Sequence, residues 1–343
     1  KVLGNRIRDI NNCGFMKINR RQFVKNLGLG TASLSMGSLV TASSCASSGD
    51  SSLKQNAKDG EDGQFLFIGD DIAIAQTEYG KVQGYLLNHV YTFLGVPYGA
   101  DTSGKNRFMP PQKPEPWTDV RPAVFYGNTA PQRMEDRWPN NYGTFADHWN
   151  YWDVSEDCLY LNVWTPGIAD GKKRPVLVWL HGGGYTNGSG IEQDGYHGEN
   201  ISREGDIVFC SINHRLGPIG FSDLSGVGGE AYKDSGNVGM LDIIAALRWV
   251  HDNIANFGGD PGNVTVMGQS GGGSKVCTVA AMPAAKGLIH RAVALSGSTI
   301  GASDQQMTRK VGEYILREAG LTASQLDKLQ RIPCPCMGLT IRP

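Results

Sequence analysis

The stretch "VTVMGQSGGGSK", residues 264–275, constrains the chain more than any other: an apolar run rich in β-branched residues meets a serine set among glycines. Such a segment reads as a strand, a sharp turn at Ser270 and a helix that begins at once. Three sites share these letters. A phosphate-cradling loop needs lysine directly after its second glycine and then serine or threonine, but here Gly273 is followed by Ser274 and only then by Lys275. A dinucleotide fingerprint needs a different glycine spacing at the start of a βαβ unit. What fits is G-x-S-x-G, met by Gly268, Ser270 and Gly272. A serine at the apex of a strained strand-to-helix turn projects its hydroxyl from the sheet, and flanking glycines let strand and helix pass closely. The pentapeptide alone is a weak signal; the strand before it and the helix after it favour a nucleophile.

A second glycine cluster, "HGGGY" at residues 181–185, ends the apolar run "VLVWL". Consecutive glycines there can turn backbone N–H groups toward a developing negative charge. They also suit a plain turn, and the elbow some ninety residues later in the chain is what favours the functional reading. Between and around these motifs, "LYLNVW", "VLVWLHGGG" and "DIVFCSINHR" read as strands buried on both faces. The stretch "IAIAQTEYGKVQGYLLNHVYTFLGVPYG" reads as an antiparallel meander, and the proline-punctuated passage 107–139 as surface loops. In "MLDIIAALRWVHDNIANFGGD", Leu241, Ile244, Leu247 and Ile254 recur at helical spacing, Arg248, Asp252 and Asn253 lie off that stripe, and Gly258 ends the helix. A strand "RAVALSGS" and a helix "QQMTRKVGEYILREAG" follow. The alternation predicts an α/β protein with a mainly parallel central sheet flanked by helices.

With 343 residues, 40% apolar and 19% charged, the chain can bury a sizeable core. Lysine plus arginine, 32, nearly balances aspartate plus glutamate, 33, so no overall field favours nucleic acid. No cofactor motif is present. Cys158, Cys210 and Cys277 lie in apolar runs and are expected as buried free thiols, and no cysteine spacing suggests zinc. Asp194, His197 and Glu199 in "DGYHGEN" could hold a metal, but a polar loop supplies such residues routinely.

Residues 16–45 read as an export signal, with Arg20 and Arg21 in "NRRQFVK" resembling a twin-arginine motif ahead of a weakly apolar, small-residue stretch. That stretch is too interrupted to span a membrane. Cys45 closes it in "VTASSC", which leaves two processing readings: lipidation of Cys45 as a membrane tether, or ordinary peptidase cleavage near Ala46. Palmitate incorporation that is lost in Cys45→Ala distinguishes them. The expected location is exported, periplasmic or extracellular, in a bacterium. Residues 46–63 form a serine- and glycine-rich linker, residues 64–332 the folded domain, and residues 1–15, ahead of Met16, are expected to be upstream sequence from a mis-set start.

Several segments together resemble the type B carboxylesterases and lipases of the α/β-hydrolase fold: "FLGVPYG", "NRFMPPQKPEPWTDV", "EDCLYLNVW", "VLVWLHGGGY", "NHRLGPIGF", the run from "GNVGMLDIIAALRW" to "VTVMGQSGGG", and "GLIHRAVALSGS". They cover roughly residues 75 to 300 in the family's order. The resemblance implies a small-molecule ester as substrate, Ser270 as nucleophile, and the N–H groups of Gly183, Gly184 and Gly271 as the oxyanion hole. His181 and His290 would be structural. Gln269 stands where many relatives have glutamate, which weakens any case for a cationic substrate, and Gly271 stands where alanine is usual.

In this fold the order is Ser, then Asp or Glu, then His. Only 343 − 270 = 73 residues follow Ser270, with His290 as the sole histidine among them. The triad acid and base are therefore expected to lie outside this chain, and "CPCMGLTIRP" in the tail 333–343 is expected to be an aberrant reading. A serine without a base keeps only roughly 10³ to 10⁴-fold catalysis, so the chain alone is expected to be inactive and, with open sheet edges, aggregation-prone. The contrasting reading is a homologue without catalysis that serves binding or adhesion. The sequence names neither the ester nor the oligomeric state.

Overall fold

The computed structural model describes residues 65–132, 153–299 and 301–333. The expectations for the leader, the export signal, Cys45, the linker 46–63 and the tail from 334 lie outside the described residues. Contacts divide the chain between Asn56 and Ala57, and all the described residues belong to the second unit.

The strands in chain order are β1 (Leu66–Phe67), β2 (Ile74–Gln76), β3 (Lys81–Gln83), β4 (Tyr85–Leu87), β5 (Val90–Pro97), β6 (Arg121–Pro122), β7 (Tyr160–Thr165), β8 (Arg174–Leu180), β9 (Val208–Ile212), β10 (Gly259–Gln269) and β11 (Arg291–Leu295). Four helices matter for the site: α1 (Glu199–Gly205), α2 (Val238–Asn253), α3 (Gly271–Ala281) and α4 (Gln305–Glu318). The main sheet has the order β1-β4-β5-β7-β9-β8-β10-β11, and β2, β3 and β6 form a small second sheet. The predicted meander is thus shared between two sheets.

The four strands β9, β8, β10 and β11 run parallel, and the remaining pairs of the main sheet are antiparallel. Parallel neighbours need a crossover between them, and α1, α2 and α3 supply those crossovers in turn. Helices cover both faces of such strands, which is why "VFCSI" of β9 is buried at every position. In β5 the ladder slips between Phe93 and Val96. Gly95, at φ 64°, makes that bulge; its N–H donates to Asn162 Oδ1 at 2.9 Å, and a Cβ there would come within 2.5 Å of the Phe125 carbonyl oxygen.

Helix α2 is buried around most of its girth. The apolar stripe and the exposed Arg248 and Asp252 agree with the sequence, but Asn253 does not stay in solvent. It is 1% exposed, accepting from the Glu78 N–H at 2.7 Å and donating to the Trp249 carbonyl at 2.9 Å. Asp242 on the same helix is fully buried and meets Arg215, also fully buried, at 2.6 Å. Gly258 ends the helical stretch at φ 75°.

Two further expectations are corrected. The passage after Arg107 is not only surface: Phe108 is 1% exposed and packs with Ile219, Leu224, Ile315, Leu316, Leu326 and Leu329. Buried Arg107 pairs with Glu156 and donates to the Leu329 carbonyl, tying residues 326–332 to the loops. Cys158 and Cys210 are buried free thiols, whereas Cys277, on the flank of α3, is only half-buried.

Strand β11 is exposed at all five positions, with Val293 and Leu295 each 38% accessible. Among the described residues it pairs with β10 alone.

Candidate active site

The site arises from register. β8 and β10 lie side by side and parallel, with Leu180 opposite Gly268, so both chains leave the sheet at the same end and level. Ligands in open α/β sheets gather beyond these carboxyl ends. The turn after β8 carries Gly182, Gly183 and Gly184; the turn after β10 carries Ser270. On the other side Gln269 is level with Leu295, and the Ser270 N–H donates to the Leu295 carbonyl at 2.8 Å.

Ser270 adopts φ 56° and ψ −121°, a conformation L-residues avoid, and it caps α3 while remaining exposed. The backbone can turn so sharply because its neighbours carry no side chains. A Cβ on Gly272 would lie 2.0 Å from the Leu180 carbonyl oxygen, and one on Gly268 would lie 2.6 Å from the Gly272 carbonyl. Gly183 and Gly184 both take positive φ, 82° and 64°. The Gly184 backbone passes so close to Gly271 that a Cβ on Gly271 would stand 2.4 Å from the Gly184 nitrogen. The glycine loop and the serine turn are therefore in direct contact, as the sequence motifs require. Glycine at 271 gives the loop that approach.

Beneath the loop lies a buried polar layer that the motif reading missed. The His181 and His214 rings stack at 4.9 Å, and His181 Nδ1 lies 2.9 Å from the Gly182 carbonyl oxygen. Burial first, and then the nearby Lys275 charge, hold the His214 imidazole well below its ordinary range. Lys275 is fully buried, its Nζ donating to the His181 carbonyl at 3.1 Å and lying 5.9 Å from the Tyr185 ring centroid. Burial, opposed by the Glu192 carboxylate, pulls the ammonium down to about 7. A signal for Lys275 was present: it sits on the buried stripe of α3 with Gly272, Val276 and Val279, where an unpaired charge is out of place. At the far end of the loop, Gly188 is clamped by Gln132, which accepts from its N–H at 2.8 Å and donates to its carbonyl at 3.0 Å.

The remaining candidates fall elsewhere. His290 Nδ1 accepts from the Val264 N–H at 3.1 Å, and Val264 lies six positions before Ser270, roughly 20 Å along the strand. Asp194 and His197 line a cavity of about 340 Å³, but Glu199 faces Asn88 and Arg203, at 2.7 and 2.9 Å. Among the described residues no three histidine, cysteine or acidic side chains are placed to hold a metal ion.

Comparison with known proteins places the chain among carboxylesterases. The model of the carboxylesterase family matches residues 71–334. A para-nitrobenzyl esterase from Bacillus subtilis is 41% identical over 259 residues, 76% of this chain and 50% of its own length. A phenmedipham hydrolase from Pseudarthrobacter oxydans is 44% identical over 64% of this chain and 42% of its own. Among solved structures, an esterase from Clostridium hathewayi that hydrolyses aliphatic aromatic polyesters superposes with a TM-score of 0.73 at 39% identity, over 81% of this chain and 54% of that one. The chain thus spans about half the length of these relatives.

Proposed function

The chain belongs to the carboxylesterase family, and on that premise we propose that it carries the nucleophile and the oxyanion-binding loop of a serine-dependent carboxylic ester hydrolase. The observation that carries the reading is the strained, exposed Ser270 set against the glycine loop. In this mechanism Ser270 Oγ bonds to the ester carbonyl carbon as its proton passes to a base, and the carbonyl π pair moves onto oxygen. The N–H groups of Gly183, Gly184 and Gly271 receive that oxyanion. Collapse expels the alcohol, protonated by the same base, and water then releases the acid from the acyl-enzyme. The described histidines near the turn, His181 and His214, are engaged beneath the loop, and His290 is held at the far end of β10. The base is therefore assigned to residues beyond the described ones.

Aliphatic aromatic polyesters, phenmedipham or a para-nitrobenzyl ester are what particular relatives are named for; the class proposed here is a small-molecule carboxylic ester. A fluorophosphonate probe tests the serine directly. In a form of the protein that includes the residue serving as base, we expect labelling that is absent from both Ser270→Ala and Ser270→Gly. The glycine variant should also gain about 1 kcal/mol in urea unfolding, because glycine occupies positive φ without strain. Labelling that persists in both variants overturns the assignment, and an unlabelled protein in that base-containing form favours the binding homologue instead.

A further inference from the structure

The charged group closest in sequence to the serine turn, and the one the mechanism above leaves unused, is Lys275. An ammonium is expensive to bury unless something in the fold needs it. Its one hydrogen bond, 3.1 Å to the His181 carbonyl, falls on the peptide unit that opens the glycine loop, since the same unit carries the Gly182 N–H. Gly182 in turn lies against the serine turn: a Cβ there would be 3.6 Å from Ser270 Cβ. Lysine and serine leave from one helix, α3, so a bond from Lys275 to residue 181 fixes the distance between that helix and the loop.

We propose that Lys275 is a positioning residue for the oxyanion-binding loop, its buried ammonium holding the His181–Gly182 peptide so that the glycine N–H groups stay aimed above Ser270. The role rests on the reading of Ser270 as nucleophile. A charged donor suits the task, because charge-assisted hydrogen bonds are shorter and stronger than neutral ones. The titratable and charged groups packed around it are Glu192, His181, His214 and Tyr185, with Arg215 and Asp242 engaged by one another from α2 and the segment after β9. Glu192 favours the ammonium, and burial opposes it. With the proton lost near 7, the anchor becomes a neutral amine and its grip on the carbonyl weakens.

The loop and the serine can be read separately. In the native chain, the amide NMR signals of Gly182, Gly183 and Gly184 should titrate with a midpoint near 7, and they should not do so in Lys275→Met or Lys275→Gln. Fluorophosphonate labelling at pH 6 should be about 10- to 100-fold slower in Lys275→Met, and the ratio of native to variant rates should fall as the pH rises through 7. A purely structural lysine would lower stability without either pH signature. Stability supplies a third readout: the folded chain holds this proton less tightly than the unfolded one, so stability rises between about 7 and the ordinary lysine value of about 10.4, and that slope should vanish in the methionine variant. Glycine amides that do not titrate overturn the proposal, whether or not the serine reacts. Amides that titrate in a base-containing form of the protein whose serine fails to label leave the anchor standing and remove the nucleophile assignment.

Discussion

Asp242→Asn is expected to lower the free energy of unfolding by about 3–5 kcal/mol, read as a fall in the urea midpoint at pH 7. Arg215 and Asp242 are both 0% exposed. One carboxylate accepts from Arg215 Nε at 2.8 Å, from its terminal nitrogen at 2.6 Å and from its backbone N–H at 3.0 Å. Asparagine keeps the shape but turns an amide NH₂ toward a guanidinium, leaving a buried cation without its counter-charge. The remaining guanidinium nitrogen of Arg215, Nη1, already donates to the Met109 carbonyl at 2.8 Å and does not compensate. The effect should reach the site, because Arg215 follows His214, whose ring supports His181. The double variant Arg215→Met, Asp242→Leu should recover much of the loss, since removing both charges leaves neither one orphaned. A single variant that costs less than about 1 kcal/mol would show that water reaches the pair.

Local sterics made the site's backbone legible in the sequence. Gly268, Gly272 and the glycines after His181 announce turns and close approaches by their lack of a side chain, and the register of β8 and β10 then brings them together. The strands β7, β8 and β9 were equally plain, because a run buried on both faces needs no partner to be recognised. What stayed hidden depends on partners distant in the chain. Asn253 reads as a surface residue until the Glu78 N–H, 175 positions away, is seen to need an acceptor. Asp242 has no local partner, and only the fold brings Arg215, 27 positions away, against it. The split of the meander between two sheets turns on Gly84, where a Cβ would meet the Thr92 carbonyl oxygen at 2.0 Å. Patterning assigns polar residues to the outside, and each exception here is a polar group satisfied inside by a remote segment.

Gly272→Ala is expected to slow fluorophosphonate labelling of Ser270 by about 100-fold or more while the chain stays folded. The added methyl would lie 2.0 Å from the Leu180 carbonyl oxygen and 2.8 Å from that of His181, both backbone atoms at the ends of a paired strand. No rotamer change relieves such a contact, so α3 must withdraw by about 1 Å to reach an ordinary separation. The Ser274 N–H is bonded to the Ser270 carbonyl, so the serine is drawn with the helix away from the glycine loop, against its own N–H bond to the Leu295 carbonyl of β11. A displacement of that size in a preorganised site costs about two orders of magnitude, and the overpacking itself costs roughly 1–3 kcal/mol of stability. Gly271→Ala makes the instructive contrast. Its methyl meets the Gly184 backbone at 2.4 Å, but that segment is a turn built on Gly183 and Gly184 rather than a strand, and can move aside. The loss there should be closer to tenfold. If the alanine at 272 labels at the native rate, the serine turn does not depend on the packing of α3 against β8, and the link drawn here between glycine placement and serine geometry fails.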